Sequence, residues 1–351
     1  MSFDSNLIKI IGRYTPEKVT TWLYQNNILE SGKVIEVQKK IKSVTLVSYI
    51  VEFKLSYSKD ASSAFHDSLL LKVSKADAQA GDFTREADFY NDIAESMEAP
   101  PVPLCLNATY DAATKTNCIL MMNLEKTHFD LHGNYPLLPS IEQCGDVVEK
   151  LAEFHSKWWE HDQLNEFKLK TNLKVEESKR LIINTYNAFC NSMNEWFNGP
   201  NKEMYNHLIQ NLDILFTEED KNTTVIHGDA HFGNVLYPKK SENDIVFIDW
   251  ADWMIGKPMD DLAYMMALRY FPEQRKIIEQ KMIEVHNKVL ISKGIEYSLE
   301  TSIEDYKKAV AKCLLIPIFQ WQEQLPPEIW YYNMERIISA FKDLNCEELF
   351  Y

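Results

Sequence analysis

His227-Gly-Asp229-Ala-His-Phe-Gly-Asn234, followed by Ile248-Asp249-Trp250, is the stretch on which the reading of this chain turns. Thr223-Thr-Val-Ile226 leads into the first string and Ile245-Val-Phe-Ile248 into the second; both runs read as short strands. Asp249 comes fifteen residues after Asn234, with a polar turn at Lys239 to Asp244 between them. A hairpin of that length is expected to carry Asp229, Asn234 and Asp249 to one end. Two carboxylates and an amide are hard oxygen donors, which suit Mg²⁺. Phosphoryl transfer needs such a set: one acid orients or deprotonates the attacking hydroxyl, while the other acid and the amide hold metal on the phosphates. Each residue alone has an ordinary structural use. An Asp caps, an Asn turns the chain, His227 is expected to bond its own loop backbone, and His231 to sit at the surface. The joint spacing is what points to chemistry.

Around this island the chain changes character. Thr15-Pro16-Glu17 begins a helix, with a capping hydroxyl and a proline in the first turn. Val34 to Lys75 reads as strands, Asp82 to Met97 as a helix, and Asn117 to Leu124 as a further strand. That order predicts a small α+β unit over residues 1–124. After a connection at about 121–126, residues 127–351 read as mostly helical. Ser140-Ile-Glu-Gln143 is a capping box opening an amphipathic helix. Further helices are expected at about 174–197, 201–216, 259–269, 273–293, 302–324 and 327–345.

The strings resemble a known family. The chain is similar to the aminoglycoside phosphotransferase and choline kinase superfamily, and within it to the ecdysteroid-kinase-like group. His-Gly-Asp-x-x-x-x-Asn at 227–234 matches its catalytic loop, and Ile-Asp-Trp at 248–250 stands where kinases carry Asp-Phe-Gly. Gly256-x-Pro258-x-x-Asp261-Leu-Ala-Tyr264 matches the segment that follows. The resemblance implies an α+β, two-lobed protein-kinase-like fold. It implies an ATP- and Mg²⁺-dependent small-molecule kinase, with Asp229 as the catalytic carboxylate, Asn234 and Asp249 as metal ligands, and Asp261 bracing the loop. A protein kinase is the first alternative, but Gly256 and Asp261 follow Asp249 too soon for a long activation loop. A nucleotide-binding scaffold without activity is the second.

A kinase also needs a cation on the α- and β-phosphates and an acid to position it. Lys72 ends the apolar run Leu69-Leu-Leu-Lys72, and Glu86 lies on the next helix in an E-x-x-F-Y pattern that resembles the family's own. Lys75 and Asp88 are the second candidates. Ile119-Leu-Met121-Met-Asn123-Leu-Glu125 is expected to read adenine through its backbone, beside Met121 and Asn123. One departure stands out. The stretch Lys39 to Ser48, where protein kinases cover the phosphates with a Gly-rich loop, has no glycine. Ser43 is the candidate phosphate contact there, followed by Thr45 and Ser48, with charge from Lys40 or Lys42; an ordinary exposed turn is the competing reading.

The acceptor is expected against the helical half. Leu151-Ala-Glu-Phe-His155 resembles a family segment whose histidine packs behind the catalytic loop. Trp250, Trp253, Tyr264, Trp321, Trp330, Tyr331 and Tyr332 could serve a cation or an apolar body equally. The resemblance implies a small-molecule hydroxyl acceptor as the partner. A net charge of −15 disfavours nucleic acid and anionic lipid as partners. No apolar run is long enough to span a membrane. Six scattered cysteines without a C-x-x-C pair argue against zinc and disulfides and fit a reducing cytoplasm.

Overall fold

The computed structural model describes residues 5–62, 67–75, 84–131, 139–217, 221–240 and 244–350. By internal contacts the chain divides into two compact units: Met1–Phe129 with Leu236–Ala251, and Asp130–Val235 with Asp252–Tyr351.

The first unit opens with helices α1 (Ser5–Gly12) and α2 (Pro16–Gln25). Thr15 accepts from the Lys18 amide and Pro16 fills the first turn, as the capping pattern predicts. Five antiparallel strands follow: β1 (Val34–Val44), β2 (Ser48–Tyr57), β3 (Ser68–Ser74), β4 (Cys105–Asp111) and β5 (Thr116–Met122). Their order is β1-β2-β3-β5-β4. Strand β5 is buried along its whole length, because it lies inside the sheet and consists of Thr-Asn-Cys-Ile-Leu-Met-Met. Val51, Phe53, Leu69, Leu71 and Leu120 close the core against Val19 and Leu23 of α2.

Between β3 and β4 comes the short helix α3 (Arg85–Asp88), continued by a wider π turn over Phe89–Ala94. The first residues of the expected 82–97 helix lie outside the described residues. Strand β4 is not among the strands expected from sequence. It is an edge strand with Asn107, Thr109 and Asp111 along it, and edges tolerate such residues. The strands β6 (His128–Asp130), β8 (Val235–Pro238) and β9 (Val246–Phe247) form a small sheet in that order. Strand β9, ahead of Asp249, lies beside β8, whereas the strand ahead of His227 pairs with residues Met254–Gly256 and not with β9 as expected.

The second unit is helical, with the two-stranded pair β7 (Thr224–Ile226) and β10 (Met254–Gly256) inside it. Its helices are α4 (Ile141–Lys157), α5 (Leu164–Thr171), α6 (Val175–Met193), α7 (Gly199–Gln210), α8 (Leu212–Leu215), α9 (Pro258–Ala267), α10 (Pro272–Ser292), α11 (Leu299–Cys313), α12 (Ile316–Gln322) and α13 (Pro327–Asp343). The capping box at Ser140 and Gln143 forms in both directions. Cys144, Val147, Val148, Leu151 and Phe154 bury the predicted stripe of α4. The single helix expected over 302–324 is two, α11 and α12. Pro317 cannot donate to a carbonyl of the preceding turn, so it opens a helix instead of continuing one. Among the described residues, no helix is long and apolar enough to cross a membrane.

Candidate active site

In the first unit, β3 carries a buried lysine two residues before its end. Side chains alternate along a strand, so Leu69 and Leu71 point into the core and Lys72 to the other face. Its Nζ donates to Glu86 Oε1 at 2.7 Å and to Asp249 Oδ1 at 2.6 Å. Only 11% of the Lys72 side chain and 2% of the Glu86 side chain reach solvent, against 39% for Asp249. Burial opposes the ammonium charge, but the two carboxylates outweigh it and raise the Lys72 pKa.

Aromatic packing holds these groups together. Glu86 and Phe89 lie three residues apart on one helical face. Phe89 stacks on Trp250 with ring centroids 3.9 Å apart and planes 8° from parallel. Trp250 is fully buried and donates its indole N–H to the Phe247 carbonyl at 3.1 Å. Trp250 is therefore core, and it fixes Asp249 next to it. Asp249 has φ +65°, a left-handed conformation uncommon outside glycine and asparagine. The E-x-x-F-Y and I-D-W patterns meet through this stack.

Elsewhere in this unit, Met121 is buried in β5, and the Asn123 amide donates to Ser68 Oγ at 3.1 Å. Ser43 is exposed on β1, beside a register shift. The glycine-free tip is a closed turn. The Ser48 amide donates to Thr45 Oγ1 at 2.9 Å, and Lys75 Nζ donates to the Thr45 carbonyl. The Thr45 and Ser48 hydroxyls thus bond each other, and Val44, Leu46 and Val47 stand exposed.

In the second unit, β7 delivers the His227-Gly228-Asp229 loop. Asp261, at the start of α9, accepts from the His227 amide at 2.7 Å and from the Gly228 amide at 2.9 Å. Gly228 has φ +79°, and a Cβ there would sit 2.1 Å from the Asp252 carbonyl oxygen. Gly228→Ala is therefore expected to cost at least ~2 kcal/mol in chemical denaturation, from the positive φ and from displaced backbone together.

Asn234 is nearly buried. Its Nδ2 donates to the Asp229 carbonyl and to Asp229 Oδ2, both at 3.0 Å. Both donors are thereby committed, which leaves Asn234 Oδ1 as the atom that can face a cation. His231 Nε2 lies 3.5 Å and Arg269 Nη2 3.8 Å from the Asp229 carboxylate. Burial would raise the Asp229 pKa, but bonds from His231 and Tyr264 and the charge of Arg269 reverse this and hold it below the usual carboxylate range. Arg269 in turn lies over the Tyr264 ring, 5.4 Å from its centroid. Neither Arg269 nor the role of Tyr264 beside Asp229 was apparent from sequence, because a lone arginine after a helix carries no motif.

Behind the loop, His155 of α4 and His286 of α10 are fully buried and bonded to each other. Among the described residues, no three His, Cys, Asp or Glu side chains converge as a metal-binding group. In the first unit Asp249 offers a carboxylate and in the second Asn234 offers an amide oxygen, each a hard donor of the kind magnesium takes. A cavity of about 330 Å³ in this unit is bordered by Ile226, Gly228, Ile255, Tyr264, Lys312 and Ile316.

The chain shares its fold with solved structures of phosphotransferases. It is similar to a provisionally assigned aminoglycoside phosphotransferase from Ralstonia eutropha JMP134, with a TM-score of 0.59 and 13% identity over 94% of this chain and 98% of that one. It is also similar to the choline kinase LicA from Streptococcus pneumoniae, at TM-score 0.54 and 16% identity over 97% and 99% of the two chains. APH(2″)-IIIa, solved with GDP and kanamycin, matches at TM-score 0.55 and 12% identity over 94% and 99%. At such identities the likeness establishes the protein-kinase-like fold. No curated protein sequence matches the chain. The ecdysteroid kinase-like family model matches residues 45–294, and the chain belongs to that family of small-molecule kinases.

Proposed function

We propose that this chain transfers the γ-phosphate of ATP to a hydroxyl of a small molecule: a metabolite, a steroid-like compound or an antibiotic. The observation that carries the reading is the buried Lys72, held between Glu86 and Asp249. A lysine desolvated between two acids and kept charged is placed to meet phosphate, and Glu86 fixes its direction. Met121, Asn123 and the backbone after β5 serve the adenine, and Ser43 is the remaining phosphate contact. Asn234 and Asp249 would hold Mg²⁺. Bound magnesium would neutralise charge on the transferring phosphoryl group.

Asp229 faces the acceptor hydroxyl. Its pKa is held low, so it is ionised at neutral pH but a weak base. That favours orientation of the O–H over early proton removal: the proton passes to Asp229 as the acceptor oxygen bonds the γ-phosphorus and the bond to the β,γ-bridging oxygen breaks, releasing ADP. The cavity beside Gly228 and Tyr264 has the size of a small-ligand site and a largely apolar border, which supports an acceptor with an apolar body.

A pH profile follows from the sign of the Asp229 shift. A depressed carboxylate keeps its active, ionised form until pH falls through its folded pKa, so the Asp229-dependent limb lies below the ordinary carboxylate range. ATP turnover measured from pH 5 to 8 is expected to show no acid limb that depends on Asp229. A titration near pH 6 that vanishes in Asp229→Asn would contradict this role.

A further inference from the structure

Asp261 grips the loop through two backbone amides, and the structure shows what grips Asp261. His155 Nε2 lies 3.1 Å from Asp261 Oδ2, and His155 Nδ1 lies 2.9 Å from His286 Nε2. The two imidazoles are tilted at 51° with centroids 5.2 Å apart. Both are fully buried, and they come from helices α4 and α10, while Asp261 belongs to α9. Among the described residues, His286 Nδ1 is buried without a hydrogen-bond partner.

Proton bookkeeping leaves one arrangement. Burial, and then the neighbouring His155, push the His286 pKa well below its ordinary value, so His286 is neutral and carries one N–H. With that proton on Nδ1, the N–H would be buried with no acceptor, which is costly. Two bare nitrogens would also face each other at 2.9 Å unless His155 held a proton on Nδ1. In neutral His155 that choice would turn a bare Nε2 toward the Asp261 carboxylate. A doubly protonated His155 would satisfy its own contacts but still strand the His286 N–H. With the proton of each ring on Nε2, His286 donates to His155 and His155 donates to Asp261. Only an acceptor lone pair, at His286 Nδ1, is then left unmatched.

We propose that His286 is a positioning residue: by donating from Nε2 to His155 it fixes the His155 tautomer that donates to Asp261, and so holds the backbone that carries Asp229. The chain of contacts runs from α10 through α4 to α9 and ends on the amides of His227 and Gly228. A histidine acting only as filler would have no preferred tautomer to impose. The bearing on catalysis rests on the proposed role of Asp229, but the test needs no turnover and so fails or succeeds apart from that role.

The test uses ¹⁵N-histidine-labelled full-length protein at pH 7.5, with hydrogen exchange read at the His227 and Gly228 amides. Wild type is expected to show His155 protonated on Nε2 alone. Gln places an amide N–H near the position of the His Nε2 donor, and Asn is too short to do so. His286→Gln is therefore expected to keep the His155 signature and to exchange within about twofold of wild type. His286→Asn is expected to mix the His155 tautomers and to speed exchange at both amides at least tenfold. A wild-type His155 protonated on Nδ1 would overturn the proposal whatever the variants do. So would Gln and Asn variants that cannot be told apart, whether both behave like wild type or both lose protection.

Discussion

Asp229→Asn is expected to lower phosphoryl transfer about a thousandfold while leaving ATP affinity within about twofold, the range for removing a positioned acid–base group. The substitution is nearly isosteric. An Asn side-chain oxygen can still accept from Asn234 Nδ2, now 3.0 Å from Asp229 Oδ2, so the loop keeps its shape. What disappears is the negative charge that His231 and Arg269 stabilise and that would orient and finally accept the hydroxyl proton. Initial rates and equilibrium ATP binding measured on the same preparation separate the two effects. A variant that binds ATP and turns over within tenfold of wild type would remove Asp229 from the reaction.

Lys72→Met is expected to destabilise the protein by about 3–5 kcal/mol and to weaken ATP binding at least tenfold, because it leaves a buried acid without its partner. The two acids respond differently. Asp249 is partly exposed and can rehydrate, whereas Glu86 is almost wholly enclosed. The loss therefore comes chiefly from Glu86. A double variant, Lys72→Met with Glu86→Leu, is expected to regain most of the stability and none of the ATP affinity. Chemical denaturation and ATP titration across the four proteins of the cycle make the comparison. If the double variant is no more stable than Lys72→Met, the Lys72–Glu86 pairing does not dominate this site's energetics.

The parts of the fold and site that sequence made legible are those written in local order. The capping box at Ser140 and the proline at Pro16 act within one helical turn, and both form as the spacing predicts. The loop from His227 to Asn234 is also local: Asn234 reaches back five residues to Asp229. Lys72 and Glu86 were legible because a lysine ending an apolar strand is unusual.

What depends on distant partners was not legible. Trp250 is a candidate substrate aromatic in sequence, yet it stacks on Phe89, far off along the chain, and is core. His286 carries no local pattern; its meaning comes from His155, 131 residues away. Strand β4 was hidden because an edge position accepts polar residues that lower any strand signal. The break between α11 and α12 turned on Pro317, set within an apolar run that otherwise reads as one helix.

The proposed reaction moves phosphate from ATP to an alcohol. The most direct measurement incubates wild type and Asp229→Asn with γ-labelled ATP, Mg²⁺ and a mixed library of hydroxylated metabolites, steroids and aminoglycosides, and separates labelled organic phosphates from inorganic phosphate. The expected result is at least one labelled alcohol phosphate with wild type that disappears with Asp229→Asn. Label found only as inorganic phosphate, or organic label equal in the two proteins, would contradict the account.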